Sequence, residues 1–71
     1  MHEFLREDQT QIAKMIQEGS SVLDLGCGDG DFLHYLVESK KVKGVGLEIN
    51  QDRIFNCLDK GLNVIHANLD S

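Results

Sequence analysis

The sequence predicts an α/β domain built on a parallel sheet. Short apolar runs at 21–25, 43–47 and 63–66 alternate with stretches whose apolar residues recur at helical spacing. Such alternation implies right-handed crossovers between neighbouring parallel strands. A loop at 26–30, with glycine at every second position, follows the first strand and precedes a helix. The predicted unit is α-β-α-β-α-β with strand order 3-2-1, which is half of a doubly wound domain.

Residues 4–18 are predicted to form an amphipathic helix that covers one side of the sheet. Gly19 is a plausible residue to follow its C-terminus, and Ser20-Ser21 then leads into the first strand. A partner-binding face is the alternative interpretation of its apolar stripe. The side chains of this stripe, which we expect to point into the core, are Leu5, Ile12, Met15 and Ile16.

The second helix is predicted at about 30–39, directly after the glycine loop. One face packs on the sheet, and His34 lies outside that face. The predicted apolar face consists of Phe32, Leu33, Leu36 and Val37.

Strand two is predicted at 43–47 and ends at Glu48. Asn50 is a good N-cap for a third helix at about 51–60, because its side-chain oxygen can accept a backbone N–H. A short third strand follows at 63–66. The predicted buried face of the third helix consists of Ile54, Phe55 and Leu58.

Composition and charge narrow the classes of function. The chain has 71 residues and a net charge of −5, which allows one small domain and argues against binding nucleic acid. It has no apolar run long enough to span a membrane and no leader-like N-terminus, so we expect a cytoplasmic protein without a membrane partner. The two cysteines, Cys27 and Cys57, match no zinc pattern, so we expect reduced thiols and no metal.

The glycine loop is the candidate ligand site, because parallel α/β sheets bind ligands at the carboxyl ends of their strands. Glycine lets the backbone approach a ligand closely. The carboxylate of Asp24, near the end of a strand expected to be buried, needs partners, and free N–H groups of the loop could supply them. Cys27 is expected to face the ligand as a small residue, and a catalytic thiol is the alternative.

The spacing of the glycines separates two classes of cofactor. Dinucleotide-binding folds use G-x-G-x-x-G, whereas this loop reads G-x-G-x-G. Asp31 occupies the position of the last glycine in the dinucleotide pattern. An NAD-dependent oxidoreductase is therefore the weaker alternative.

The ends of strands two and three add further candidates. Glu48 stands where an acid could accept two hydrogen bonds from ribose hydroxyls, and its alternative role is a charge at the start of the third helix. We prefer the ribose role because Glu48 occurs together with the glycine loop. Ile49 could pack on one face of an adenine. Asn68, which alone would be a turn residue, could pair with the adenine amino group, and the backbone N–H of Leu69 with a ring nitrogen.

The segment 22–31 resembles motif I of class I S-adenosylmethionine-dependent methyltransferases, in which an acid stands two residues before G-x-G-x-G. Nearly the whole chain is similar to the MetW family of methionine biosynthesis proteins. That family usually has an acid where Asn68 stands, and an amide oxygen can still accept from an adenine amine. The matching pieces are Leu5-Arg6 with Asp8, Ile12-Ala13, Ile16, Gly19-Ser20, 22–30, 42–44, 46–49, Gly61, 63–65 and Leu69-Asp70.

The resemblance implies a Rossmann-like class I methyltransferase fold that binds S-adenosylmethionine. Asp24 would then organise the loop and the methionyl amino group, and Glu48 would hold the ribose. The glycines at Gly26, Gly28 and Gly30 would permit close approach of the cofactor. No catalytic residue is assigned. Because the family is longer than this chain, we expect residues 1–71 to be a single partial domain, the N-terminal cofactor-binding half.

Two functions follow from the resemblance. One is a methyltransferase acting on an unidentified small substrate. The other is a non-catalytic protein that senses the cofactor or contacts a homoserine acyltransferase, since members of the family are linked to that enzyme and to methionine biosynthesis.

Overall fold

The computed structural model describes residues 6–68, over which helices and strands alternate. The strands are parallel and hydrogen-bonded in the order β1-β2-β3, so the predicted α/β class and the order 3-2-1 are confirmed. Among these residues, no helix is both long and apolar enough to cross a membrane. The elements are α1 (Glu7–Met15), β1 (Ser21–Leu25), α2 (Asp31–Lys40), β2 (Lys43–Glu48), α3 (Gln51–Asp59) and β3 (Asn63–His66).

The strand register brings the carboxyl ends together. Leu25 of β1 pairs with Leu47 of β2, and Glu48 of β2 pairs with His66 of β3. The backbone N–H of Ala67 then donates to the carbonyl oxygen of Glu48 at 3.0 Å. The last residues of all three strands therefore lie along one edge of the sheet.

The core lies on one face of the sheet, beneath α2 and α3. The apolar face predicted for α2 is confirmed, because Leu33 and Leu36 are buried while Phe32 and Val37 pack beside them. The opposite face is open within the described residues, and three of its apolar side chains (Leu23, Leu25 and Ile65) are more than half exposed. The buried clusters consist of Ala13, Leu36 and Val42, and of Leu33, Cys57 and Leu62.

The predicted C-terminal end of α1 was wrong. The helix ends at Met15, and Ile16 already has extended backbone with φ −89° and ψ 126°. The cause lies at the end of α2: the Lys40 ammonium donates to the Ile16 carbonyl, and the Lys40 carbonyl accepts from the Gly19 N–H, both at 2.8 Å. These tertiary contacts replace a further helical turn. Residues 4 and 5 lie outside the described part.

The apolar stripe predicted for α1 is confirmed at Ile16 and is wrong at Ile12 and Met15. Ile12 is 46% exposed and Met15 is 82% exposed, whereas Ala13 is buried and Ile16 packs against its cluster. One residue along a helix is a rotation of about 100°. α1 therefore meets the core on a face turned away from the predicted stripe. Leu5 is not among the described residues.

The prediction for α3 is confirmed at its start and corrected along its length. The Asn50 side chain accepts from the Arg53 N–H at 3.1 Å, as an N-cap should. Ile54 is buried as predicted, but Phe55 and Leu58 are 53% and 51% exposed. Cys57 is fully buried instead, because that side of the helix packs under the glycine loop.

Candidate functional site

The loop between β1 and α2 is built on three glycines in the left-handed region, with φ of 67° at Gly26, 63° at Gly28 and 87° at Gly30. A Cβ at Gly26 or Gly28 would meet no atom within 4 Å, so the backbone there is open to an approaching molecule. Gly30 differs, because its Cβ would lie 2.6 Å from Leu62 Cδ1 and 2.9 Å from Cys57 Sγ. Packing thus explains why residue 30 is glycine, and its role toward a ligand stays a prediction.

A cavity of about 370 Å³ opens beside the loop, between α1 and the end of β1. Its volume is in the range of small-molecule sites. Three predicted site residues, Asp24, Gly26 and Cys27, contribute to its wall, and the other predicted site residues that the structure describes do not. The wall consists of Arg6, Gln9, Ile12, Asp24, Leu25, Gly26, Cys27, Asp29, Asp31 and Phe32.

Four polar residues of this wall were not among the predicted site residues. Asp29 and Asp31 follow the loop glycines directly, and their position in the motif was a signal that could have found them. Gln9 carries no sequence signal, and Arg6 occurs in the sequence resemblance without a role assigned to it. The packing of α1 beside β1 brings both residues to the cavity.

A larger cavity of about 570 Å³ lies at the opposite edge of the sheet, where the strands begin. Apolar side chains such as Val22, Leu23 and Val42 form much of its wall, and none of the predicted site residues between positions 6 and 68 reaches it. The motif residues therefore favour the smaller cavity as the candidate site.

Glu48 joins the glycine loop to the start of α3. Its carboxylate is 6% exposed and accepts two backbone N–H groups, from Gly28 to Oε1 at 2.8 Å and from Asn50 to Oε2 at 3.0 Å. The hydrogen bond from Asn50, and then that from Gly28, hold the pKa of Glu48 below its ordinary value. An ionised carboxylate has about four acceptor positions, so two remain for other donors.

Asp24 does not receive the loop N–H groups expected for it. The Gly28 N–H donates to Glu48, and the Cys27 N–H donates to the Leu47 carbonyl at 3.0 Å. Within residues 6–68 no hydrogen bond or ion pair reaches the Asp24 side chain, and burial raises its pKa. The half-buried carboxylate therefore stands at the cavity wall without a cationic partner from those residues.

The Cys27 thiol is a packing group. Its Sγ lies 3.7 Å from Cys57 Sγ, and both cysteines are unbridged. Burial first, and then the hydrogen bond with Cys57, raise the pKa of Cys27 to about 12. A protonated thiol at neutral pH is a poor nucleophile, which argues against the catalytic alternative. The same Sγ lies 2.5 Å from where a Cβ on Gly46 would be, so β2 needs glycine there.

Two further predicted residues, Ile49 and Asn68, lie along the same edge. Ile49 is 53% exposed directly after Glu48, and its carbonyl oxygen is 2.9 Å from Nε2 of His66. Asn68 is exposed, two residues past the end of β3. Leu69 lies outside the described residues. An exposed apolar side chain beside Glu48 is compatible with a flat ring stacking there, and these ligand roles stay predictions.

Comparisons with known proteins agree with this geometry. The model of the family "Methionine biosynthesis protein MetW" matches residues 6–71. The "Bifunctional methionine biosynthesis protein MetXA/MetW" of Rhodopirellula baltica is 32% identical over 74 residues, which cover 93% of this chain and 12% of that protein.

Among solved structures, M. capricolum TrmK, in complex with the natural cofactor product S-adenosyl-homocysteine, aligns with a TM-score of 0.74 and 27% identity. The alignment covers 93% of this chain and 33% of that chain, so this chain spans a third or less of the length of both relatives. The Rossmann-like methyltransferase fold implied by the sequence resemblance is thereby confirmed. With fold, glycine loop and strand-end acids in agreement, the match over residues 6–71 shows that this chain belongs to the MetW family.

Proposed function

We propose that this chain is the cofactor-binding part of an S-adenosylmethionine-binding, methyltransferase-like protein linked to methionine biosynthesis. The observation that carries the proposal is the open backbone at Gly26 and Gly28 between two carboxylates, Asp24 at the cavity and Glu48 at the next strand end. The aligned structure in complex with S-adenosyl-homocysteine supports the same ligand class. A cytoplasmic location, and the status of residues 1–71 as one partial domain, belong to this proposal.

The cavity suits the amino-acid end of this cofactor. Asp24 lacks a cationic partner among the described residues, and Arg6 is the basic residue of the same cavity wall. An ammonium group would neutralise Asp24, and a carboxylate would suit the guanidinium of Arg6. Both groups occur together in a methionyl moiety, while the open side of Gly26 leaves room for its backbone to approach.

The nucleoside end would lie farther along the strand ends. Glu48 is held ionised by two N–H donors and keeps acceptor positions for the two ribose hydroxyls. Ile49 would pack on the adenine, and Asn68 and the Leu69 N–H would bind its edge. The cofactor, when bound, supplies a methyl group on a positively charged sulfur. The residues proposed here bind and orient it, and we assign no catalytic residue.

A second candidate function is a non-catalytic protein that senses the cofactor or contacts a homoserine acyltransferase. The observation that favours it is the bifunctional relative, whose name joins MetXA and MetW in one protein. Transfer of a labelled methyl group by the full-length protein separates the two functions. Tight cofactor binding without any transfer would favour the second.

The proposal is tested by calorimetric titration of the longest natural form of the chain with S-adenosylhomocysteine, using NAD as the control ligand. We expect binding of S-adenosylhomocysteine alone. Glu48→Ala should weaken that binding by about 1.5–3 kcal/mol, because charged hydrogen bonds to the ribose are lost. Glu38→Ala, which removes an exposed glutamate from α2, is the matched control and should bind like the wild type.

Two outcomes would contradict the proposal. Unchanged affinity in a folded Glu48→Ala variant removes the ribose role and leaves Glu48 as a structural acceptor for the Gly28 and Asn50 N–H groups. Binding of NAD in preference to S-adenosylhomocysteine would favour the oxidoreductase alternative. Because Glu48→Ala also frees the loop, Asp24→Asn serves as a second variant that keeps the loop hydrogen bonds and should also weaken binding.

A further inference from the structure

One side of α3 holds the glycine loop through several contacts. The amide of Asn56 donates to the Asp29 carboxylate at 2.9 Å. The thiol of Cys57 lies 3.2 Å from the Gly28 carbonyl oxygen. The ammonium of Lys60, directly after the helix, donates to the Asp29 carbonyl at 3.0 Å.

Lys60 makes a second contact, an ion pair with Asp31 at 3.4 Å. Its side chain is only 28% exposed, so this cation is less screened than one on an open surface. The ammonium thus bridges the middle of the loop and the first residue of α2. A hydrogen bond from a charged donor is stronger than one between neutral groups.

These side chains lie behind the loop with respect to the cavity. Asp29 and Asp31 contribute to the cavity wall, whereas Asn56, Cys57 and Lys60 do not. The Gly28 N–H also donates to the Glu48 carboxylate at 2.8 Å. The loop backbone is therefore held both by Glu48 and by α3.

We propose that Asn56 and Lys60 are positioning residues, which hold the glycine loop in the shape that takes the ligand without touching the ligand themselves. This inference rests on the proposed function. Glycine with positive φ has the largest conformational freedom to lose, so a loop built on three such residues is costly to order. Contacts that order the loop beforehand reduce the cost at binding. When they are lost, the apparent affinity falls with the population of the competent shape.

The test compares Lys60→Met with Lys60→Arg and Lys41→Met in the longest natural form of the chain. Lys41 is the matched control, because its ammonium also donates to a backbone carbonyl, that of Glu38 at 2.9 Å, but far from the loop. Amide hydrogen exchange of Gly28 and Gly30 in the ligand-free protein measures directly how well the loop is ordered. Titration with S-adenosylhomocysteine and S-adenosylmethionine measures the affinity for each ligand, and urea unfolding measures the stability of the whole chain.

For Lys60→Met we expect about tenfold faster exchange at Gly28 and Gly30, and a similar loss of affinity for both ligands. Lys60→Arg should change the exchange rates and the affinities much less than Lys60→Met does. Lys41→Met should leave the exchange rates and the affinities unchanged. Asn56→Ala should act in the same direction by a smaller factor, because it removes one exposed contact.

If Lys60 only positions the loop, Lys60→Met should lower the affinities for the two ligands by the same factor. S-adenosylmethionine carries one more positive charge than S-adenosylhomocysteine, so a direct electrostatic role of Lys60 would change the ratio of their affinities. A changed ratio, or unchanged loop exchange, would overturn the inference. If the wild type binds neither ligand, the proposed function fails, and the exchange rates alone still decide whether Lys60 and Asn56 hold the loop.

Discussion

At the scale of single residues, the site depends on two carboxylates in opposite environments. Glu48 is more buried than Asp24, yet its pKa is lowered because two backbone N–H groups bind its charged form. Asp24 has no such donors among the described residues, and burial raises its pKa. Glu48 therefore stabilises the folded chain, and the charge of Asp24 costs stability that a cationic ligand would recover.

The two pKa values are shifted in opposite directions, so replacing each carboxylate by an uncharged amide should change the free energy of unfolding at pH 7 in opposite directions. The stabilisation from Glu48 is fully present above its unfolded pKa and is lost as the pH falls through the lower folded pKa. The cost of Asp24 is fully present above its raised folded pKa and is relieved as the pH falls. We therefore expect Glu48→Gln to lower the free energy of unfolding at pH 7, and Asp24→Asn to raise it while weakening ligand binding.

Urea unfolding from pH 3 to pH 8 checks this prediction. Both variants should move towards the wild type as the pH falls, because each carboxyl group is protonated in the folded chain once the pH passes below its folded pKa. An Asp24→Asn variant that is less stable than the wild type at pH 7 would show that the folded protein pairs this charge.

At the scale of elements, α3 positions the site as well as covering the sheet. Its N-cap Asn50 lies two residues after Glu48, and its far end holds the loop through Lys60. The start of this helix was predictable, because the N-cap pattern is local. Its buried side was not: Phe55 and Leu58 are larger apolar residues than Cys57, but the loop packs over Cys57, and both larger side chains are more than half exposed.

The N-cap of α3 can be tested by itself. Asn50→Ala removes the acceptor for the Arg53 N–H and should lower the free energy of unfolding by about 1 kcal/mol. Asn50→Ser keeps a side-chain oxygen at the cap and is the conservative control. Urea denaturation of both variants gives the comparison, and equal losses would show that the cap bond contributes nothing.

At the scale of the whole molecule, stability depends on a small core on one face of the sheet. Leu33 and Cys57 are fully buried there, and Leu62 is 5% exposed. A chain of this length buries only about 60% of the surface it exposes when unfolded, so each core side chain is a large share of the total.

Leu33→Ala should therefore lower the free energy of unfolding by about 2–5 kcal/mol, because it leaves a cavity between α2 and β2. Met15→Ala removes an apolar side chain that is 82% exposed, and it should change stability by no more than about 0.5 kcal/mol. Thermal unfolding of both variants measures the two effects. If the stripe predicted for α1 faced the core instead, Met15→Ala would lower the free energy of unfolding strongly.

Several features could be predicted from the amino-acid sequence alone: the α/β class, the strand order, the bounds of β1 and β3, the N-cap at Asn50 and the family. These features follow from local patterns: short apolar runs that alternate with helical spacing, a cap residue, and a motif of contiguous residues.

Other features became visible only in the folded chain: where α1 ends, which sides of α1 and α3 are buried, and which carboxylate receives the Gly28 N–H. Each depends on contacts between residues distant in the chain, such as Lys40 with Ile16 and Gly28 with Glu48. Arg6 at the cavity and Lys60 behind the loop belong to the same class. Spacing along one element does not encode these contacts, because the packing of neighbouring elements selects the partner of each polar group.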